Sequence, residues 1–133
     1  MKVVFDTNIL VSAMLWRGTP YRCLLAIRAG FAELILSPPI LEEFRGVLSK
    51  KFAITQEDVE DNIAVVRESS TLIDIPGILH VIMDDPEDDK FIETALVAGA
   101  PVVVSGDKHL LRLGDYGGVK VISARAFLDM LAQ

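Results

Sequence analysis

The sequence predicts a single α/β domain in which a parallel sheet of about five strands is covered by helices on both faces. Three observations carry that prediction. Short aliphatic runs, mostly β-branched, alternate with longer helical patterns along the whole chain. The runs are apolar across nearly their full width, as strands buried on both faces must be. The chain has 133 residues and 51% hydrophobic content, enough for one sizeable core and too little for two ordinary domains, so 1–133 is read as one unit.

In chain order, strands are predicted over 2–5 (KVVF), 33–36 (ELIL), about 71–75 (TLIDI), 101–104 (PVVV) and 119–122 (VKVI). Helix starts are marked by Thr19-Pro20, by Ser37-Pro38, by Thr55 with Asp58 three residues later, and by Ser123. The stretch 38–69 holds two successive helices split near Phe52-Ala53-Ile54-Thr55, one more than a βαβ unit needs. It is expected to form a wall beside a cleft.

Composition narrows the function classes. No apolar run approaches the roughly 20 residues that span a bilayer, and residues 1–5 pass directly into a strand pattern, so a soluble, cytoplasmic protein is expected. The lone Cys23 lies in an apolar stretch and reads as a buried thiol in a reducing compartment. A formal charge of -6 argues against a nonspecific polyanion-binding surface. It does not exclude nucleic acid, because acids that hold divalent cations are neutralised locally.

Four acids stand where a strand ends or on the inward side of a helical pattern. Asp6 follows the first strand and Asp107 follows the fourth after Ser105-Gly106; both belong at the carboxyl edge, where parallel α/β sheets bind ligands. Each is read either as a site acid or as the N-cap of the helix that follows. Ile40, Leu41, Phe44, Val47 and Leu48 define one helix face, with Glu43 at its rim about 40° from Val47 and Glu42 nearly opposite, beside Arg45. Between 84 and 89 lie five acids. Asp88 falls near the centre of the face made by Phe91, Ile92, Ala95 and Leu96, whereas Asp89 is roughly 100° away. Asp84 and Asp85 are expected ahead of the helix, Asp85 as the cap before Pro86, with Glu87 and Asp89 explained by the helix dipole.

Inward-facing carboxylates are costly to desolvate and repel one another, so Asp6, Glu43, Asp88 and Asp107 read together as a cation site. Oxygen ligands suit Mg²⁺ or Mn²⁺, one or two ions. Zinc is disfavoured, since His80 and His109 are far apart and lack a Cys partner at ligand spacing.

Taken with their neighbours, these residues resemble the PIN domain family. The matching segments are VVF-Asp6-Thr7-Asn8, Ser37 with Glu43-Phe44, Asp85-Pro86-Glu87-Asp88-Asp89-Lys90-Phe91 running to Ala95, and VV-Ser105-Gly106-Asp107-Lys108 with Leu110-Leu111. Each segment is short; their order and spacing together are specific. The resemblance is closest to small single-domain prokaryotic PIN proteins assigned as toxins of toxin–antitoxin pairs. It implies an α/β/α sandwich and a Mg²⁺- or Mn²⁺-dependent endoribonuclease that leaves 5'-phosphate and 3'-hydroxyl ends. It also implies Asp6, Glu43, Asp88 and Asp107 as catalytic, metal-holding acids with Thr7, Asn8 and Ser105 in support, Asn8 orienting carboxylates. Ser105 stands where the family more often has threonine, which keeps the hydroxyl. An antitoxin partner and a homodimer are further implications of the family alone.

Arg17, Arg22, Lys50, Lys51, Lys90, Lys108 and Arg112 are available for RNA phosphates or as solubilising charges. Trp16 and Tyr21 flank the turn at 17–20 and suit either packing or base stacking. Two rival readings stay open. A receiver-like phosphotransfer domain fits less well, because the first strand ends in a single Asp6 and the acids at 84–89 open a helix. A catalytically silent PIN-like binding module would keep the scaffold without the chemistry.

Overall fold

The computed structural model of the protein describes residues 1–82 and 85–133; the expectation for Asp84 lies outside the described residues. Helices cover both faces of a sheet in the order β3-β2-β1-β4-β6-β5. The strands are β1 (Lys2–Phe5), β2 (Glu33–Leu36), β3 (Ser70–Leu72), β4 (Val102–Val104), β5 (Asp115–Tyr116) and β6 (Val119–Ile122). All neighbouring pairs are parallel except β5 with β6. The chain winds outward from β1 through β2 to β3, then crosses back to β4. The direction of winding therefore reverses between β1 and β4, and the crevice at such a switch point is where open α/β sheets place ligands.

The helices are α1 (Thr7–Leu15), α2 (Thr19–Arg28), α3 (Pro38–Lys51), α4 (Gln56–Glu68), α5 (Asp89–Ala98), α6 (Lys108–Leu113) and α7 (Ala124–Leu131), with a 3-10 turn at Pro86–Asp88 ahead of α5. Among the described residues no helix is long and apolar enough to cross a membrane. Strands β1, β2 and β4 supply the centre of the core: Val4, Phe5, Leu34, Leu36, Val103 and Val104 are fully buried. Phe5 meets Phe127 of α7 edge to face with ring centroids 5.9 Å apart, and Cys23 is buried against the Ala124 carbonyl. Burial pushes the Cys23 thiol up to about 11, which keeps it protonated and inert.

The predicted strands are present with small changes of extent. β3 starts at Ser70 and stops at Leu72, with one further bond from Ile73 N–H to the Leu36 carbonyl before Pro76 closes the run. β4 starts after Pro101, which has no N–H to donate but still accepts from Lys120. The additional strand β5 is a two-residue antiparallel arm. Gly117 and Gly118, both at positive φ, form its hairpin turn, and the Gly-Gly pair between DY and VK was the available signal.

The break between α3 and α4 falls where expected, with Ala53 in the left-handed region at φ 49. Thr55 and Ser123 cap as predicted, accepting from the N–H groups of Asp58 and Ala126. Two caps differ. Thr19 is the first residue of α2 behind Gly18, and Ser37 turns its hydroxyl away from the helix to Thr94 Oγ1 at 2.8 Å in the core. A short polar side chain satisfies whichever partner packing brings closest.

Candidate metal centre

Parallel register sets the site. Val3, Val4 and Phe5 pair with Val102, Val103 and Val104, so β1 and β4 end level, and the Asp6 N–H donates to the Val104 carbonyl at 3.0 Å. Asp6 and the Ser105-Gly106-Asp107 turn thus leave the sheet side by side. Both acids cap the helix that follows and still line the cavity, because a carboxylate has two oxygens. Asp6 Oδ1 caps α1 by accepting from Ile9 N–H at 2.8 Å, while Oδ2 accepts from the Ser105 hydroxyl at 2.5 Å. Asp107 Oδ1 caps α6 through His109 and Leu110 N–H groups. Ser105, wholly buried, joins the two acids: it donates to Asp6 and accepts from the Asp107 N–H at 2.9 Å. The position needs a hydroxyl, which serine supplies.

From the other side α3 brings Glu43, whose Oε1 accepts from the Thr7 hydroxyl and whose Oε2 lies 3.0 Å from Lys90 Nζ. Exposed Glu42 points outward and pairs with half-buried Arg45, which also engages Glu60. Asp88 enters from the 3-10 turn. It sits one residue ahead of α5 instead of on its face, yet it still points into the same cavity.

The cavity, about 230 Å³, is lined by Asp6, Glu43, Asp88, Asp107 and, unforeseen, Asp85. Asp85 does cap the turn through Glu87 N–H, as expected, but its place on the cavity wall came from tertiary packing. Thr7 and Asn8 also line the cavity, Asn8 on the exposed rim. Among the described residues no hydrogen bond links the Asn8 side chain to a carboxylate, and Thr7 and Ser105 do the orienting. Neither histidine is part of the lining. A larger cavity of about 430 Å³ lies at the amino ends of β2 and β3 beside Met1, Glu33 and Ser70. It contains none of the four acids, so volume does not choose the site.

Asp89 is the main correction to the helix-dipole reading. It is 5% exposed, and its Oδ1 accepts from Val81 N–H at 2.9 Å and Ile82 N–H at 2.8 Å. Glu93, also buried, takes Gly77 and Ile78 N–H in the same way. Successive acids thus face opposite ways: Asp88 into the cavity, Asp89 into the backbone of the preceding loop.

The charged carboxylates of the cavity are disfavoured by burial and mutual repulsion. Burial raises the Asp88 carboxyl to about 7, helped by Asp85, Asp107 and Glu43 and opposed by Lys90. Burial raises Asp6 to about 6, with the Ser105 and Ile9 hydrogen bonds opposing and Asp107 and Glu43 adding repulsion. Asp88 Oδ2 is buried with no hydrogen-bond partner among the described residues. An orphaned carboxylate oxygen among other carboxylates fits a hard divalent ion. Among the described residues no three acidic, histidine or cysteine side chains are closed around one point. Glu43 is turned to Thr7 and Lys90 instead, the Lys90 ammonium partly balancing the charge.

These shifts predict how stability responds to pH. Both acids have folded values above the ordinary 3.8, so the folded protein binds more protons than the unfolded chain. Their contribution is full below about 4 and is lost as pH rises through about 6 to 7. Thermal unfolding in chelator is expected to show the melting temperature falling from pH 5 to pH 8, and added Mn²⁺ is expected to restore it at pH 8. A flat profile with no response to Mn²⁺ would count against the cation site.

The fold and the site define a class: a switch-point α/β protein with an acid-lined cavity at the carboxyl edge of its sheet. The chain belongs to the PIN domain family, whose model matches residues 2–109. Among solved structures it resembles PAE2754 from Pyrobaculum aerophilum, at 18% identity and TM-score 0.67, covering 99% of this chain and 90% of that one. It also resembles VapBC2 from Rickettsia felis, solved bound to a DNA fragment from their promoter, at 16% identity and TM-score 0.66, covering 91% and 97%. No curated protein sequence matches significantly.

Proposed function

We propose that the protein is a Mg²⁺- or Mn²⁺-dependent endoribonuclease acting in the cytoplasm as the toxin of a toxin–antitoxin pair. The observation that carries this is the unpartnered, buried Asp88 Oδ2 in a cavity shared with Asp6, Glu43 and Asp107. Those four acids would hold one or two ions. When bound, such an ion acidifies an attacking water and offsets charge on the phosphodiester oxygens. The chain's own part is positioning: Ser105 holds Asp6 and the Asp107 backbone in one frame, and Thr7 and Lys90 hold Glu43. With Asp6 and Asp107 on rigid strand ends, little reorganisation remains when substrate arrives. An antitoxin that covers the cavity, and a homodimer, belong to the same proposal, supported by family membership and the VapBC2 likeness.

A catalytically silent binding module is the second reading, favoured by the absence, among the described residues, of a closed three-ligand group. A panel of single-stranded and structured RNAs incubated with purified protein separates them. Cleavage with Mg²⁺ or Mn²⁺ that stops in chelator is expected. Metal binding without cleavage of any RNA in the panel would favour the silent module.

A further inference from the structure

The cavity does not end at the acids. Thr7 meets Glu43 at the start of α1, and Trp16 meets Phe52 just past its end, so α1 and α3 run side by side in the same direction. Lys51 lines the cavity and immediately precedes Phe52. Along α3 the eight steps from Glu43 to Lys51 cover about 12 Å.

At that far end Trp16 is 55% and Phe52 39% exposed, their rings in edge-to-face contact with centroids 5.7 Å apart. Beside them the Arg17 guanidinium lies 5.3 Å from the Tyr21 ring centroid. Charge is segregated to match. The chain has 19 acids, yet none occurs between residues 7 and 32 or between 44 and 56, where Arg17, Lys50 and Lys51 stand exposed. A polymer of anionic backbone and flat bases fits open aromatic rings flanked by cations, because stacking is tolerant of sequence and phosphates seek the cations.

We propose that Trp16 and Phe52, with Arg17 and Lys51, form a base-stacking subsite for single-stranded RNA that leaves the acidic cavity along α3. Phosphates contact Lys51 and Arg17, and a base lies against Trp16. The identity of the polymer rests on the ribonuclease reading.

Trp16 is the one tryptophan in the chain, so its emission reports on the subsite directly. The test titrates the full-length Asp88→Asn protein, which spares the RNA, with a single-stranded oligouridylate in Mg²⁺. Saturable quenching is expected. With labelled RNA, Trp16→Ala should raise Kd at least about fivefold, the lower end for one base–aromatic stack, and Trp16→Phe should retain most of the affinity. Lys51→Gln should weaken binding and lower its salt dependence by about one counterion. Cleavage by wild type with no quenching, and with unchanged KM in Trp16→Ala, would overturn the subsite while the nuclease stands. Quenching and the Trp16→Ala loss without cleavage by wild type would support the subsite while the nuclease reading fails. Emission that follows protein concentration and sedimentation instead of RNA would overturn the proposal in favour of a contact between copies.

Discussion

Asp88→Asn is expected to abolish metal-dependent RNA cleavage while leaving the protein folded and, without metal, more stable than wild type. The substitution keeps the shape of the side chain and removes the charge from the oxygen that has no partner. Loss of one electrostatic group aimed at the reacting oxygens typically costs about 10²- to 10³-fold in rate, and loss of an ion's ligand should be at the upper end or beyond. The gain in stability follows from the same carboxylate. Burial, then Asp85 and Asp107, disfavour its ionised form and outweigh the opposing Lys90, so at pH 8 the neutral amide removes a desolvation and repulsion cost that the wild type carries. Initial cleavage rates and melting in chelator, measured on one preparation, check both halves. Full activity would remove Asp88 from the site, and a lower melting temperature would show that its charge is compensated in the folded state.

Asp89→Ala should do the reverse: unfold the protein more easily before it says anything about chemistry. Its carboxylate takes two backbone N–H groups, from Val81 and Ile82, in a largely buried setting. Deleting it strands both donors, and an unsatisfied buried group costs about 1–3 kcal/mol; with Ile82 buried and Val81 only partly so, the total falls in the lower half of about 2–6 kcal/mol. For a chain of this length that lowers the melting temperature by roughly 10 °C. Because Asp85 and Asp88 follow the same loop, activity should fall as well, but with the melt and not ahead of it. Unchanged melting would show that the loop is held by other contacts. One residue apart, the two acids are thus expected to give opposite stability effects.

Much of this was readable from local pattern. Aliphatic runs bounded by turns located the sheet, since a strand buried on both faces must be apolar throughout. The rim position of Glu43 followed from helical periodicity alone, and its separation from Glu42 is what the structure shows. For Asp6 and Asp107 the sequence left cap and site acid as alternatives; the structure shows each as a cap through one oxygen, with the carboxyl also lining the cavity. Asp85 was legible as the cap before Pro86 but not as part of the cavity wall, and Asp89 only as an acid near a helix start.

Local pattern was enough for the α/β class, for the alternation of five of the six strands with helices, and for Asp6 at a strand end and Glu43 on the rim of a helix face, because these depend on side-chain periodicity within a few residues. Asp88 left its predicted helix face for the turn ahead of α5. Tertiary structure alone decided that Ser105 joins Asp6 to Asp107, that Lys90 and Thr7 hold Glu43, that Asp89 clamps residues 81 and 82, and that Trp16 reaches Phe52. Hydrogen bonds and ring contacts act over a few ångströms, and most of these partners are brought together only by the register of the sheet and the packing of helices across it.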